Sequence, residues 1–298
     1  MNHAKRHLLH SDLSTISTER RHRVCFDIHT LAPPCNFMDT MTPPSSSLAL
    51  SLENVSVHFE GLKALKDVSF TVSSGEIVGM IGPNGAGKTT AFNVACGFIK
   101  PSEGHVYFPS KGLANLRPNQ LARAGVARTL QGVGLFPHCT VLENVMAGGH
   151  VRANGGFVSG FLSLPRGVRS ERALRHDAFA MLEHLGIADM AMRLPSVIPY
   201  GIAKKVSVAR ALMCDPTLLL LDEPASGLDE GELEDFAALI TELRSKMGVL
   251  LVEHDMDFVM PLVDRLVVLN FGVVIATGTP KEVRNNDAVV AAYLGVDE

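Results

Sequence analysis

Eight consecutive residues, Gly82-Pro83-Asn84-Gly85-Ala86-Gly87-Lys88-Thr89, have the types and spacing of a phosphate cradle. Glycines let backbone N–H groups curl around an anionic chain, and a helix that starts after the loop points its positive end at the same charge. The apolar run Ile77–Ile81 leads into the loop, and Thr90-Ala91-Phe92-Asn93-Val94-Ala95 leaves it as a helix. That strand–loop–helix context is what turns the pattern into a site. Lys88 is expected to reach the β- and γ-phosphates, Thr89 to give its hydroxyl to Mg²⁺, and the stretch through Thr90 to complete the nucleotide contacts. A second constellation, Leu218-Leu219-Leu220-Leu221-Asp222-Glu223-Pro224, is a buried strand ending in two carboxylates. Such an ending places them at the carboxyl edge of a sheet, where the phosphate loop also lies. Asp222 is expected to hold Mg²⁺ through its water shell, and Glu223 to polarise the attacking water as general base.

The elements that must carry these residues follow from periodicity. Val55, Val57 and Phe59 alternate with polar neighbours, as do Val68, Phe70 and Val72, the signature of half-exposed antiparallel strands. The runs Ile77–Ile81, Leu218–Leu221 and Val249–Val252 are apolar throughout, as parallel strands covered on both faces require. Leu174, Ala178, Met181, Leu182 and Leu185 share one helical face, with Gly186 where a C-terminal cap belongs. Leu233, Phe236, Ala237, Ile240 and Leu243 do the same after Asp229. The expected fold is α/β: a phosphate-loop core with a parallel sheet, an antiparallel β flank, and an inserted α-helical subdomain over about residues 136–213. The glycine-rich stretch Gly148–Gly160 inside that insertion reads as a loop.

Composition narrows the function classes. The 298 residues, 46% hydrophobic, supply ample core. A net charge of −4 argues against a general nucleic-acid binder. No apolar run approaches the ~18–20 residues that span a bilayer; the longest, Leu266–Ala276, is broken by Asn270 and Gly272 and reads as two strands and a turn. Any membrane role is expected to come through partners. The five scattered cysteines lack a Cys-x-x-Cys pair, which favours reduced thiols in a cytosolic protein. Residues 1–47, with five of the 12 histidines and prolines at 33, 34, 43 and 44, lack core periodicity and are expected to be a disordered N-terminal extension; 48–298 form the ATPase domain. Met38 and Met41 leave open a later start of translation.

With its stations in this order, the chain resembles the nucleotide-binding subunits of ABC transporters over Leu50 to Gly295. The resemblance implies ATP and Mg²⁺ as ligands and ATP hydrolysis coupled to transport. It gives Phe59 an adenine-stacking role, beside its other reading as a core strand residue. Gln131, in Ala127-Arg128-Thr129-Leu130-Gln131, would contact Mg²⁺ and couple the site to the helical arm. His254, in Val252-Glu253-His254-Asp255, would sense the γ-phosphate. Asp229, in Ser226-Gly227-Leu228-Asp229, would lie at a dimer seam, as a helix N-cap, or as both. The family's signature, typically Leu-Ser-Gly-Gly-Gln, is replaced by Ile198-Pro199-Tyr200-Gly201-Ile202. Pro199 can open a helix without loss, and the Gly201 amide with the helix N-terminus can face a phosphate of the opposite site, but Ile202 brings no polar side chain.

Gly61-Leu62-Lys63-Ala64-Leu65, Pro-Tyr-Gly at the signature, Glu253-His254-Asp255-Met256, an arm containing Leu162-Ser163-Leu164-Pro165-Arg166, and Ala292-Tyr293-Leu294-Gly295 are similar to the ATPases of branched-chain amino-acid importers. That likeness implies a second ATPase subunit as partner, with a heterodimer favoured over a homodimer. It further implies two transmembrane permease subunits, an external solute-binding protein reached indirectly, and a peripheral place on the cytoplasmic face of the cell membrane. Two other readings stay open. A soluble ABC protein acting on ribosomes or DNA is disfavoured by the single nucleotide domain and short arm. A low-turnover regulatory subunit is opposed by Lys88, Asp222, Glu223 and His254, while the altered signature keeps it in play.

Overall fold

The computed structural model describes residues 48–108, 112–129, 132–151 and 165–294. β1 (Leu48–Phe59) and β2 (Leu62–Ser73) pair antiparallel, as their alternation requires. β3 (Ile77–Ile81) then runs into the phosphate loop and α1 (Lys88–Ala95). β4 (Glu103–Phe108) and the short β5 (Leu113–Ala114) complete a four-stranded antiparallel sheet in the order β2-β1-β4-β5. After β6 (Val126–Arg128) the described residues form the α-helices α2 (Val141–Gly148), α3 (Pro165–His184) and α4 (Tyr200–Leu212). The chain then alternates through β7 (Leu218–Asp222), α5 (Glu230–Arg244), β8 (Gly248–Val252), α6 (Met256–Leu262), β9 (Arg265–Asn270) and β10 (Val273–Gly278). It closes with α7 (Pro280–Arg284) and α8 (Asp287–Leu294).

The second sheet has the order β10-β9-β3-β8-β7-β6, parallel except for the β9–β10 hairpin. Its inner strands β3, β7 and β8 are apolar because they face two cores. Ile77, Ile81, Leu219, Leu221, Val249 and Leu251 pack toward the helices α2 to α6. Their neighbours Val78, Met80, Leu218, Leu220, Leu250 and Val252 pack toward α1 and the antiparallel sheet. The run 266–276 is two strands joined by a turn in which Phe271 and Gly272 have φ of 45° and 77°, the left-handed pair that a tight hairpin demands.

The helices start and stop where their caps dictate. Asp229 caps α5: its Oδ1 accepts from the Glu232 N–H at 2.9 Å, and Glu232 Oε2 accepts from the Asp229 N–H at 3.2 Å, a reciprocal capping box. Past α3, Gly186 has φ 68°, a left-handed position of the kind that terminates helices. In α2 the fully buried Asn144 accepts from the Phe136 N–H at 2.7 Å and donates to the carbonyls of Phe136 and Cys139, both at 3.1 Å. This ties the entry loop to the helical arm. The register aligns the carboxyl ends of three strands, since Val252 pairs with both Met80 and Asp222. Gly82, Asp222-Glu223 and Glu253-His254 therefore emerge at one sheet edge. The expected extension 1–47, Gln131, the glycine-rich loop after residue 151, Leu162–Leu164 and Gly295 lie outside the described residues.

Candidate functional site

The phosphate loop is shaped by what it rests on. Gly82 has φ 150°, and a Cβ there would overlap the Leu269 carbonyl oxygen; a Cβ on Gly87, at φ 98°, would lie 2.9 Å from the Ala64 oxygen. A Cβ on Gly85 would meet nothing within 4 Å, so the crest of the loop is open. The Gly272 N–H donates to the Ala86 oxygen at 3.0 Å, fastening the loop to the β9–β10 turn. Gly87 precedes α1 without a side-chain cap, and no acidic residue occupies the first turn. The first amides of α1 are thus left to a ligand, and an anion suits them. Asn84, Gly85 and Thr89 are exposed, while Pro83 and Thr90 are half-buried and Ala86 is buried.

Lys88 donates to the carbonyls of Gly82 at 2.5 Å and Pro83 at 2.8 Å. An ammonium has three N–H donors, so one remains for a phosphate oxygen. Burial lowers the Lys88 pKa, and the Glu223 carboxylate opposes that shift. The lysine and the acidic strand end therefore share one electrostatic site. Asp222 is half-buried; burial raises its pKa, the Arg128 guanidinium pulls it down, and Glu223 adds to the rise. Its carboxylate and the Thr89 hydroxyl are hard oxygen ligands of the kind Mg²⁺ selects.

Glu223 is among the non-glycine residues with positive φ, at 47°. Its N–H donates to the Val252 oxygen at 2.9 Å. Just past the end of β8, Glu253 is 1% exposed, and burial raises its pKa against the hydrogen bonds it accepts. Its Oε1 accepts from the Ala225 N–H at 2.6 Å and its Oε2 from the His254 N–H at 3.1 Å. The His254 side chain is 62% exposed, out at the edge.

The signature stretch opens α4 with Pro199 as N-cap and no side-chain cap. Gly201 is buried, and a Cβ there would overlap the Glu232 carboxylate. Tyr200 lies over Gly227, where a Cβ would come within 2.9 Å of the ring. Ile198 and Ile202 both pack toward the helical core. Asp229 is the N-cap of α5, one of its two expected roles. Phe59 is 46% exposed beside Leu62 at the end of the β1–β2 hairpin, so its alternative reading as a core residue is corrected. The alternation continues to the last paired residues, where among the described residues the side chain is left exposed.

Sequence reasoning did not single out Lys204, Arg128 or Tyr293. Lys204 is 5% exposed and donates to the carbonyls of Glu223 at 3.0 Å and Pro224 at 2.9 Å. Arg128 stands 4.6 Å from the Phe98 ring centroid and 5.5 Å from that of Phe92, next to Asp222. The Tyr293 phenol is pushed up to about 12 by burial, the Gly82 backbone opposing. The only signal for Lys204 was its place in a helix whose neighbours on that side, Gly201, Ser207 and Val208, are small or apolar.

A parallel sheet with a phosphate loop after one inner strand and an acidic pair after another defines a nucleoside-triphosphatase of the phosphate-loop class. The ABC transporter family profile matches residues 65–226, and a profile described as branched-chain amino acid ATP-binding cassette transporter matches 273–298. The chain belongs to the ABC transporter ATPase family. It is 40% identical to the high-affinity branched-chain amino acid transport ATP-binding protein BraF of Pseudomonas aeruginosa. It is 42% identical to LivG of Salmonella typhimurium, which bears the same description; both alignments cover 83% of this chain and 97% of the relative. Among solved structures, a nucleotide-free ATP-binding cassette from an ABC transporter superposes with a TM-score of 0.72 at 32% identity, covering 84% of this chain and all of that one.

Proposed function

We propose that the chain is the ATP-hydrolysing subunit of an importer that takes up branched-chain or related amino acids through membrane partners. The observation that carries this reading is the 40–42% identity across 97% of relatives described as branched-chain amino acid transport ATP-binding proteins. ABC ATPases work as dimers with membrane permeases, and among the described residues no helix is long and apolar enough to cross a membrane. Attachment at the cytoplasmic face through permease subunits, fed by an external solute-binding protein, fits both facts. Vesicles reconstituted with the permeases, the solute-binding protein and this subunit test the substrate class. ATP-dependent uptake of labelled leucine, isoleucine or valine is expected, and hydrolysis that none of the three stimulates would reject it.

In the proposed reaction, residues Gly82 to Thr90 hold the triphosphate and Phe59 stacks on adenine. Thr89, Asp222 and Gln131 are the residues that would hold Mg²⁺, which would supply positive charge against the phosphates. Glu223 takes a proton from water as its oxygen attacks the γ-phosphorus and the bond to the β–γ bridging oxygen breaks. His254 and Lys88 stabilise the transferring group.

The signature serves the opposite subunit's site, and inward-packed Ile202 offers no polar group across the seam. We therefore propose a heterodimer whose partner carries the fuller signature, so that the site built on this chain's Lys88, Asp222 and Glu223 is the fast one. Turnover of the chain alone and of the pair decides. The pair is expected to be faster, and Glu223→Gln is expected to cost more than the equivalent change in the partner. Equal turnover with equal mutational losses would favour the homodimer.

A further inference from the structure

Glu223 is held in a backbone conformation that a side-chain-bearing residue seldom adopts, with φ at 47°. Such a residue persists only where its surroundings over-determine it. Here the surroundings come from the carboxyl end of β8, with the residue just past it, and from α4. The end of β8 accepts the Glu223 N–H through the Val252 oxygen at 2.9 Å. The Glu253 carboxylate accepts the Ala225 N–H at 2.6 Å. From α4, the Lys204 ammonium donates to the carbonyls of Glu223 at 3.0 Å and Pro224 at 2.9 Å. The turn that carries the Glu223 side chain is therefore pinned on one side by a buried cation and on the other by a buried carboxylate.

Lys204 is an expensive residue for that place. At 5% exposed it has lost most of its hydration, and burial lowers its pKa while Glu253 and Glu223 oppose the shift. Its Nζ also stands 5.5 Å from the Tyr200 ring centroid. A well-packed apolar side chain often stabilises such a position at least as well as a buried charge, so stability alone gives little reason for a lysine here. What lysine supplies and an apolar residue cannot is a pair of directed hydrogen bonds onto one peptide turn. Lys204 also sits four residues after Tyr200, one turn along α4 from the signature. A shift of that helix is thus delivered to the Glu223 and Pro224 carbonyls.

We infer that Lys204 is a positioning residue for hydrolysis: by gripping the Glu223 and Pro224 carbonyls it aims the Glu223 carboxylate and links that aim to the signature helix. This rests on the assignment of Glu223 as general base. Misplacing a catalytic group by about 1 Å can cost on the order of a hundredfold in rate, whereas the Lys204 ammonium donates to the Glu223 and Pro224 carbonyls, outside the phosphate loop.

The test compares Lys204→Met, Lys204→Gln and Glu223→Gln in the full-length chain assembled with its partner subunits. Methionine keeps an unbranched chain one atom shorter than lysine and removes every donor; glutamine, of the same reach as methionine, keeps an amide donor. Lys204→Met is expected to lower kcat roughly ten- to a hundredfold, with KM for ATP and the ATP-induced rise in melting temperature within about twofold of wild type. Lys204→Gln is expected to fall between the two. If Lys204→Met does not fold, Lys204→Gln carries the test alone, with a loss of kcat at unchanged KM as the required result. Losses of kcat and of ATP affinity in equal measure would reduce Lys204 to a structural role and overturn the inference. Hydrolysis surviving in Glu223→Gln would instead overturn the base assignment. Hydrolysis abolished in Glu223→Gln but near wild type in both Lys204 variants would overturn the inference and leave the base in place.

Discussion

Glutamine in place of Glu223 is expected to cut ATP turnover by ~10²–10⁴, the usual worth of a positioned general base, while ATP still binds. The amide has nearly the shape of the carboxylate and cannot take a proton from water. The phosphate cradle is built from other residues, with Lys88 on the Gly82 and Pro83 carbonyls and the loop resting on Leu269 and Gly272. The nucleotide held without hydrolysis is expected to keep the dimer closed, so the variant should elute as a dimer with ATP under conditions where wild type returns to monomer. Phosphate release and light scattering measure the two effects. Turnover near the wild-type rate would move the base to another group at the same edge, His254 first among them.

Lys88→Ala is expected to act one step earlier, on binding itself. The ammonium supplies charge to the triphosphate and also holds the Gly82 and Pro83 carbonyls, so its removal takes away a ligand contact and loosens the cradle together. Wild-type protein in a hundredfold excess of ATP over Kd gains ~2.7 kcal/mol of stability; the variant is expected to lose nearly all of that gain. Melting curves with and without ATP report it directly, and an ATP-dependent shift as large as wild type would remove Lys88 from the binding set.

Much of this architecture was legible because the chain states it locally. Ile77–Ile81, Leu218–Leu221 and Val249–Val252 are too uniformly apolar to face water on either side, and each proves to be a strand between two cores. The loop spacing and the acidic strand end could be placed at one edge before any coordinates, and the register of Val252 with Met80 and Asp222 brings them there. What could not be read depends on partners distant in sequence. Lys204 looks like any solvated helix lysine until the Glu223–Pro224 carbonyls come within reach. Glu253 looks like a surface acid until Ala225 donates to it at 2.6 Å. The alternative reading of Phe59 as a core residue erred the other way, because alternation reports which side a residue faces and not whether that side is covered.

The position of β3 in its sheet has a consequence for how the protein is made. That strand emerges early from the ribosome, yet its neighbours are β8 and β9, and the loop behind it leans on Leu269 and Gly272. A nascent chain of half length therefore carries the complete phosphate motif without the strands β8 and β9 that flank β3 or the β9–β10 turn that supports the loop. Contacts between residues so far apart form late, and nested truncations should show ATP affinity appearing only in chains that extend past β10. Nucleotide capture would then act as a checkpoint on synthesis: ATP engages a finished subunit and passes over an unfinished one.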